Sequence, residues 1–170
     1  MSTAYLGLGS NIDARNNISS GIGALRQAFG RVECSPVYQT PAIGFEGDDF
    51  INLVARVETE MSPLELKSFL TGLEDRHGRN RRSPKFSDRT LDIDVLLYDD
   101  LYLLSPELSI PHAEILEATH VLKPLADLAP ELIHPICRKS MIELWNEFPR
   151  QDQKMKLITN EFAPTSGLDI

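Results

Sequence analysis

The sequence predicts an α+β domain: one mostly antiparallel sheet with two helices packed on a face, followed by further helices. Three observations carry this prediction. Segments with apolar residues at every second position recur along the chain. Stretches with apolar residues at helical spacing lie between them. Through residue 98 the two kinds follow one another in the order β-α-β-β-α-β, and the stretches that come later are helical.

Tyr5-Leu6-Gly7-Leu8-Gly9-Ser10-Asn11 reads as a first strand running into a glycine turn. Gly7-x-Gly9 lacks the third glycine of a dinucleotide fingerprint, and no acidic partner follows a second strand. These glycines are therefore read as sites of close backbone approach. Asp13 to Phe29 is a helix with Ile18, Ile22, Leu25 and Phe29 on one stripe, and Gly30 ends it. Arg31 to Ser35 and Val37 to Thr40 form a second strand bent near Pro36, and Pro41 to Asp49 is a loop. Phe50 to Glu60 alternates as a third strand. Ser62-Pro63-Leu64-Glu65 is a helix start: a capping serine, proline in the first turn and a glutamate to close the box. Leu66, Phe69, Leu70 and Leu73 form its apolar stripe, and Gly78 marks its end. A fourth strand runs from Asp92 to Tyr98, with a short edge strand at Tyr102-Leu103-Leu104. Helical stretches follow near 113–118, 120–129 and 142–148. This order is that of the ferredoxin-like arrangement, a βαββαβ core with C-terminal helices added. Residues 1–148 are expected to form one domain, and 149–170 a polar tail without periodicity.

At 170 residues the chain is long enough to bury a core without staples. No apolar run reaches the ~18 residues of a membrane span, and no secretory signal is visible at Met1-Ser2-Thr3. Cys34 and Cys137 are far apart and read as thiols of a cytoplasmic protein. The four histidines form no zinc-type pair. Net charge is -8, which argues against a nucleic-acid surface. Yet residues 76–89 hold six cations (Arg76, Arg79, Arg81, Arg82, Lys85, Arg89) against one acid, Asp88. Local positive charge of this kind suits a small polyanion.

Directly after that cationic loop come Asp92 and Asp94, which share a strand face at i and i+2. Aspartate is depleted in strands. Two carboxylates side by side repel unless a cation lies between them, and hard divalent ions such as Mg²⁺ suit their oxygens. Guanidinium forks fit phosphate oxygens. A solvated strand face beside a solvated basic loop is the competing reading. The metal-and-phosphate reading is favoured by the local charge reversal and by Ser83, Pro84 and Ser87, which make the loop irregular enough to close over a ligand.

The run Asp88-Arg89-Thr90-Leu91-Asp92-Ile93-Asp94-Val95-Leu96-Leu97-Tyr98 closely resembles the signature of the 6-hydroxymethyl-7,8-dihydropterin pyrophosphokinase family. Further matches follow in order: Gly7-Leu8-Gly9-Ser10-Asn11, Tyr38-Gln39-Thr40-Pro41, Phe50-Ile51-Asn52, Glu74 with Gly78-Arg79, Ile110-Pro111-His112 and Lys123-Pro124-Leu125. The likeness runs from about Ala4 to Phe148 and implies the ferredoxin-like fold. It also implies transfer of pyrophosphate from ATP to the pterin hydroxymethyl group in folate biosynthesis, with release of AMP.

By this resemblance two Mg²⁺ ions are held by Asp92 and Asp94, and Arg79 and Arg89 act with them on the phosphates. Glu74, Arg81, Phe86, Val95, Ser109 and His112 are expected around ATP. Thr40, Pro41, Ile43, Phe50, Asn52, Asp92 and His120 are expected around the pterin. Phe50 stands where the family often has Tyr, His120 where it has a stacking Phe, Ala118 for an Arg and Ala113 for an aromatic. The loop carries Phe86 for Trp. Two alternatives stay open: a same-family enzyme with a shifted pterin-like substrate, and a non-catalytic nucleotide-binding module. The expected partners are small molecules only, without membrane or nucleic acid, on a monomer, with a dimer left open.

Overall fold

The computed structural model describes residues 1–42, 44–79, 88–149 and 154–158. The strands are β1 (Ser2–Ser10), β2 (Val32–Cys34), β3 (Val37–Thr40), β4 (Phe50–Thr59), β5 (Asp92–Tyr98), β6 (Leu103–Leu104), β7 (Ser109–Ile110) and β8 (Lys156–Ile158). The helices are α1 (Ala14–Phe29), α2 (Pro63–Arg76), α3 (Thr119–Leu128) and α4 (Met141–Glu147), with a 3-10 turn at Ala113–Leu116. Among the described residues, no helix is long and apolar enough to cross a membrane.

β1 and β4 form the centre of the sheet, antiparallel in register from Ser2↔Thr59 to Ser10↔Ile51. β5 flanks β1 on the far side, also antiparallel. On the other flank β2 and β3 both pair with β4. The six-stranded path is β5-β1-β4-β3-β8, with β2 on β4; β6 and β7 form a separate two-stranded sheet.

Several elements differ in detail from the sequence reading. The bent second strand is two strands. Ser35 lies buried between them, its Oγ accepting the Val54 N–H at 2.9 Å while its own N–H reaches the Val54 carbonyl at 2.8 Å. β1 starts at Ser2 because Thr3 pairs across to Glu58, its hydroxyl donating to that carboxylate at 2.9 Å. Within the stretch read as a tail, Lys156–Ile158 adds an edge strand beside β3.

Where the signals were local, the structure follows them closely. Ser62 Oγ accepts the Glu65 N–H at 3.2 Å and Glu65 accepts the Ser62 N–H at 2.8 Å, the reciprocal box that starts α2. Gly78 follows α2 at φ 81, a conformation open to glycine at no steric cost. Ser140 and Glu143 form a second box at the start of α4.

The sheet is covered on both faces. α1 and α2 lay Ile18, Ile22, Leu25, Leu66, Leu70 and Leu73 on Leu6, Leu8, Leu53, Val57, Leu91 and Ile93. α3 and α4 cover the other face, where Val121, Leu122, Leu125 and Met141 meet Tyr5, Val54, Leu96 and Leu97. Each such side chain stabilises by about 1.5–3 kcal/mol when removed from water, so truncating fully buried Leu70 is expected to cost ~2–5 kcal/mol. The β1–β5 register shifts between Tyr5 and Leu6, leaving Leu96 as the extra residue of a bulge. The Leu96 carbonyl accepts the His112 backbone N–H at 2.9 Å, which docks the chain after β7 against β5.

Candidate active site

The face under α3 is not covered along its whole length. Two cross-strand rows line the uncovered part, Asp92–Gly9–Asn52 and Asp94–Gly7–Val54, with Val54 and Asn52 themselves buried at its inner edge. Opposite residues in antiparallel strands share a face, so Asp92, Asp94 and Asn52 look out from one side of the sheet. Between them lie two residues without side chains. A Cβ on Gly9 would come within 3.0 Å of Asn52 Oδ1, and one on Gly7 would touch the Leu96 side chain at 3.4 Å. Gly7 and Gly9 thus form the floor of a cleft of about 670 Å³. Its walls come from the end of β3 and the loop after it (Thr40, Pro41, Phe45), the segment after α2 (Arg79), the segment before β5 (Arg89), the turn into α3 (His112, Glu114, Glu117, Ala118) and α3 itself (His120).

Charge is divided across this cleft. Arg79 is held between two acids, its Nη1 at 2.9 Å from Asp92 and 3.6 Å from buried Glu74. Its Nε is buried without a partner among the described residues. Glu74 reaches through the sheet edge from α2, and its Oε2 accepts the Ile93 N–H at 2.7 Å, between the two aspartates. Burial and the proximity of Arg79 both draw the Arg89 guanidinium below its usual range. Two guanidinium groups are therefore held within each other's repulsion.

Opposite them, Asp94 is pushed up to about 8, first by burial, then by the carboxylates of Asp92 and Glu114. Candidate ligand atoms of Asp94, His112 and Glu114 lie within 4.8 Å of one another. His112 Nδ1 accepts the Glu114 N–H at 3.2 Å, so the neutral ring carries its proton on Nε2, which lies 4.0 Å from Asp94. That nitrogen is a donor here, suited to an anionic oxygen rather than to a metal ion.

The other half of the cleft is aromatic and neutral. Phe45 and Phe50 meet edge to face at 6.3 Å. Asn52 is buried and donates to Thr40 Oγ1 at 2.8 Å, which orients its carbonyl toward Gly9. His120 is lowered by burial, against the pull of Glu114 and Asp92, so a neutral imidazole faces the cleft at neutral pH. α3, which carries His120, is fastened to the sheet by the Tyr38 hydroxyl donating to Asp127, a carboxylate that also takes Lys123 at 2.8 Å.

The cleft thus has a basic half, an aromatic half and paired acids between them. The model of 7,8-dihydro-6-hydroxymethylpterin-pyrophosphokinase (HPPK) matches residues 5–130. The chain belongs to the HPPK family. It is 37% identical over 145 residues to the 2-amino-4-hydroxy-6-hydroxymethyldihydropteridine pyrophosphokinase of Aquifex aeolicus, covering 84% of this chain and 90% of that one. To the protein of the same name from Haemophilus influenzae it is 34% identical over 139 residues, covering 79% and 86%. It is 36% identical over 152 residues to the folic acid synthesis protein fol1 of Schizosaccharomyces pombe, covering 87% of this chain but 21% of that protein. In fold it resembles Plasmodium falciparum HPPK-DHPS solved with SDX-DHP, with a TM-score of 0.67, 16% identity, and coverage of 86% of this chain and 43% of that one. The chain thus spans under half of that solved chain and about a fifth of fol1.

Of the residues expected to form an HPPK site, Thr40, Pro41, Phe50, Asn52, Arg79, Arg89, Asp92, Asp94, His112 and His120 line this one cleft. Glu74 stands behind it, in contact with Arg79 and the β5 backbone. Val95 is buried with the α1/α2 core, because it alternates away from Asp94. Ser109 is exposed on β7, outside the cleft lining. Ile43, Arg81 and Phe86, with the closing loop, lie outside the described residues. The cleft also contains Gly7, Gly9, Phe45, Glu114 and Glu117, which the sequence reading did not assign. The i, i+2 spacing of the glycines is a usable signal in the sequence. The two glutamates carry no local signal until the turn after His112 brings them round.

Proposed function

We propose that this chain transfers the β,γ-diphosphate unit of ATP to the hydroxymethyl oxygen of 6-hydroxymethyl-7,8-dihydropterin, as a folate-pathway pyrophosphokinase. The observation that carries this reading is the divided cleft: Arg79 and Arg89 crowded together on one side, Asp92 and Asp94 on one strand face, and Phe50 with Asn52 beyond them. In the reaction the hydroxymethyl oxygen bonds to the β-phosphorus. The bond from that phosphorus to the α,β-bridging oxygen breaks, AMP leaves, and the hydroxyl proton passes to water. Arg79 and Arg89 would meet phosphate oxygens, and the buried Arg79 Nε gains a partner if the side chain turns toward them. His112 Nε2–H would donate to the same tail.

The residues fit a divalent ion. Asp92 and Asp94 offer hard oxygens from one strand face, and Asp94 is raised by burial and by the carboxylates of Asp92 and Glu114, a charge that a divalent ion would offset. Mg²⁺ at these two residues would neutralise charge building on the phosphate oxygens. Asp92 is paired with Arg79 at 2.9 Å, so if Asp92 held a divalent ion, Arg79 would be freed to meet phosphate. On the pterin side, Asn52 would pair with a ring edge and Phe50 and His120 would face its planes. The expected Arg81, Phe86, Ile43 and Ser109 contacts with substrate belong to this proposal too, while Val95, its side chain turned into the α1/α2 core, could meet the nucleotide only through its backbone.

The strand order β5-β1-β4-β2/β3, all antiparallel, with α1 and α2 on one face, supports the ferredoxin-like reading. We read residues 1–148 as its single domain, with β8 as an edge extension.

The direct test is incubation with ATP, Mg²⁺ and the hydroxymethyl dihydropterin, following AMP. Stoichiometric AMP and pterin diphosphate are expected; no AMP above a blank without protein rejects the reading. The His120, Phe50 and Ala118 differences favour one second reading, a shifted pterin-like alcohol, which a higher kcat/KM on another pterin alcohol would support.

A further inference from the structure

Asn11 directly follows β1 and is polar, yet it is 4% exposed. Its side chain is spent on the two segments that frame the cleft. Oδ1 accepts the Arg89 N–H at 2.7 Å. Nδ2 donates to the Asp88 carboxylate at 2.8 Å and to the Asp48 carbonyl at 3.0 Å. In return the backbone N–H groups of Asn11 and Ile12 reach the Arg89 carbonyl at 3.0 and 3.2 Å. Both peptide groups of Arg89 are therefore gripped by the end of a central strand. The Asp88 carboxylate also seats against the loop after β3: a Cβ on Gly47 would lie 2.5 Å from its Oδ1 and 2.7 Å from the Phe45 ring.

We propose that Asn11 is a positioning residue for diphosphate transfer. It sets Arg89 on the nucleotide side and, through Asp48 and Asp88, ties that segment to the loop bearing Phe45. The two substrate halves are thereby assembled from one anchor. This rests on the reading of Arg89 as a phosphate ligand. The chemistry explains the amide. The position must accept one N–H and donate to two oxygens, which Asn can do and Asp cannot. An aspartate here would set a second carboxylate 2.8 Å from Asp88. A misplacement of about 1 Å in a positioned group can lower a rate ~10²-fold.

The test compares wild type with Asn11→Ala, Asn11→Asp, Asp88→Ala, the exchange double variant Asn11→Asp/Asp88→Asn, and Arg89→Ala. Folding is checked by circular dichroism, and kinetics are measured well below each Tm. Asn11→Asp is expected to lower kcat/KM for ATP roughly 10- to 100-fold. In the exchange variant the amide introduced at position 88 can donate to the carboxylate introduced at position 11, so about tenfold or more of that loss is expected to return. A staple serving the fold alone would lower Tm and leave the kinetics of the folded fraction at wild-type values, which overturns the proposal. So does an exchange variant no better than Asn11→Asp. Should the Asn11 variants not fold, exposed Asp88→Ala keeps the Arg89 and Asp48 bonds and removes the Asp88 arm of the tie, with its seat on the Gly47 loop. Wild-type KM for both substrates in that variant overturns the tie. Wild-type ATP kinetics in Arg89→Ala would instead reject the assignment of Arg89, leaving the two failures distinguishable.

Discussion

Replacing Asp94 by Asn should abolish activity and yet stabilise the protein without its ligands. Asp94 is raised to about 8 by burial and by the Asp92 and Glu114 carboxylates, against an ordinary value of 3.8. Between those two values the folded chain holds a proton that the unfolded chain has lost, so stability falls as pH rises across that window. At pH 8 a charged Asp94 faces Glu114 with ligand atoms within 4.8 Å. Two unit charges at that distance repel by ~3.5 kcal/mol at an effective dielectric constant of about 20. A third of the Asp94 side chain is open to water, which screens this further. A net gain of ~1–3 kcal/mol for Asp94→Asn at pH 8 follows. For a chain of this size that raises Tm by about 3–8 °C. At pH 5 only the start of that window has been crossed, so the two proteins should differ less than at pH 8, and below about pH 3.8 they should melt together. Thermal melts from pH 5 to 8, without metal, read this directly, and Mg²⁺ should raise Tm in wild type and not in the variant. Turnover should drop by roughly 10³-fold. A variant no more stable than wild type at pH 8, or a difference unchanged between pH 5 and 8, would refute the reasoning.

Removing Glu74 works in the opposite direction. Glu74→Ala leaves the Ile93 N–H and Arg79 without their buried acceptor, and is expected to cost ~3–5 kcal/mol by urea denaturation. Gly9→Ala places a methyl 3.0 Å from Asn52 Oδ1, so KM for the pterin should rise about tenfold while the Kd of an ATP analogue stays within twofold. His120→Phe exchanges a small neutral ring for a larger apolar one. It should tighten pterin binding ~2- to 10-fold by calorimetry if the ring faces the pterin plane.

The limits of the sequence reading follow the range of the forces involved. The Ser62 box and the Asp92–Tyr98 strand were legible because a cap and a period-two run are local. The face covered by α3 was not, since helical spacing says which side of a helix is apolar and not which side of the sheet receives it. β8 is three residues long and takes its order from the β3 backbone, so side-chain pattern is silent about it. At the site, Asp92, Asp94, Arg79 and Arg89 stood out by charge placed against the local norm. Glu74 was expected at the nucleotide, and its bond to the Ile93 N–H between the aspartates has no sequence signature. Gly7 and Gly9 lie within β1 rather than in a turn, next to the Leu96 and Asn52 side chains, and that they floor a cleft needed the rows through Asn52 and Asp94.

The central claim is that Asp92 and Asp94 take a divalent ion while Arg79 turns to phosphate. A crystal grown with Mn²⁺, a non-hydrolysable ATP analogue and the hydroxymethyl pterin, measured at the manganese edge, tests it most directly. Anomalous peaks at both carboxylates, with Arg79 moved from Asp92 onto the triphosphate, are the expected result. Manganese held elsewhere, with the Arg79–Asp92 pair intact beside bound nucleotide, would contradict it.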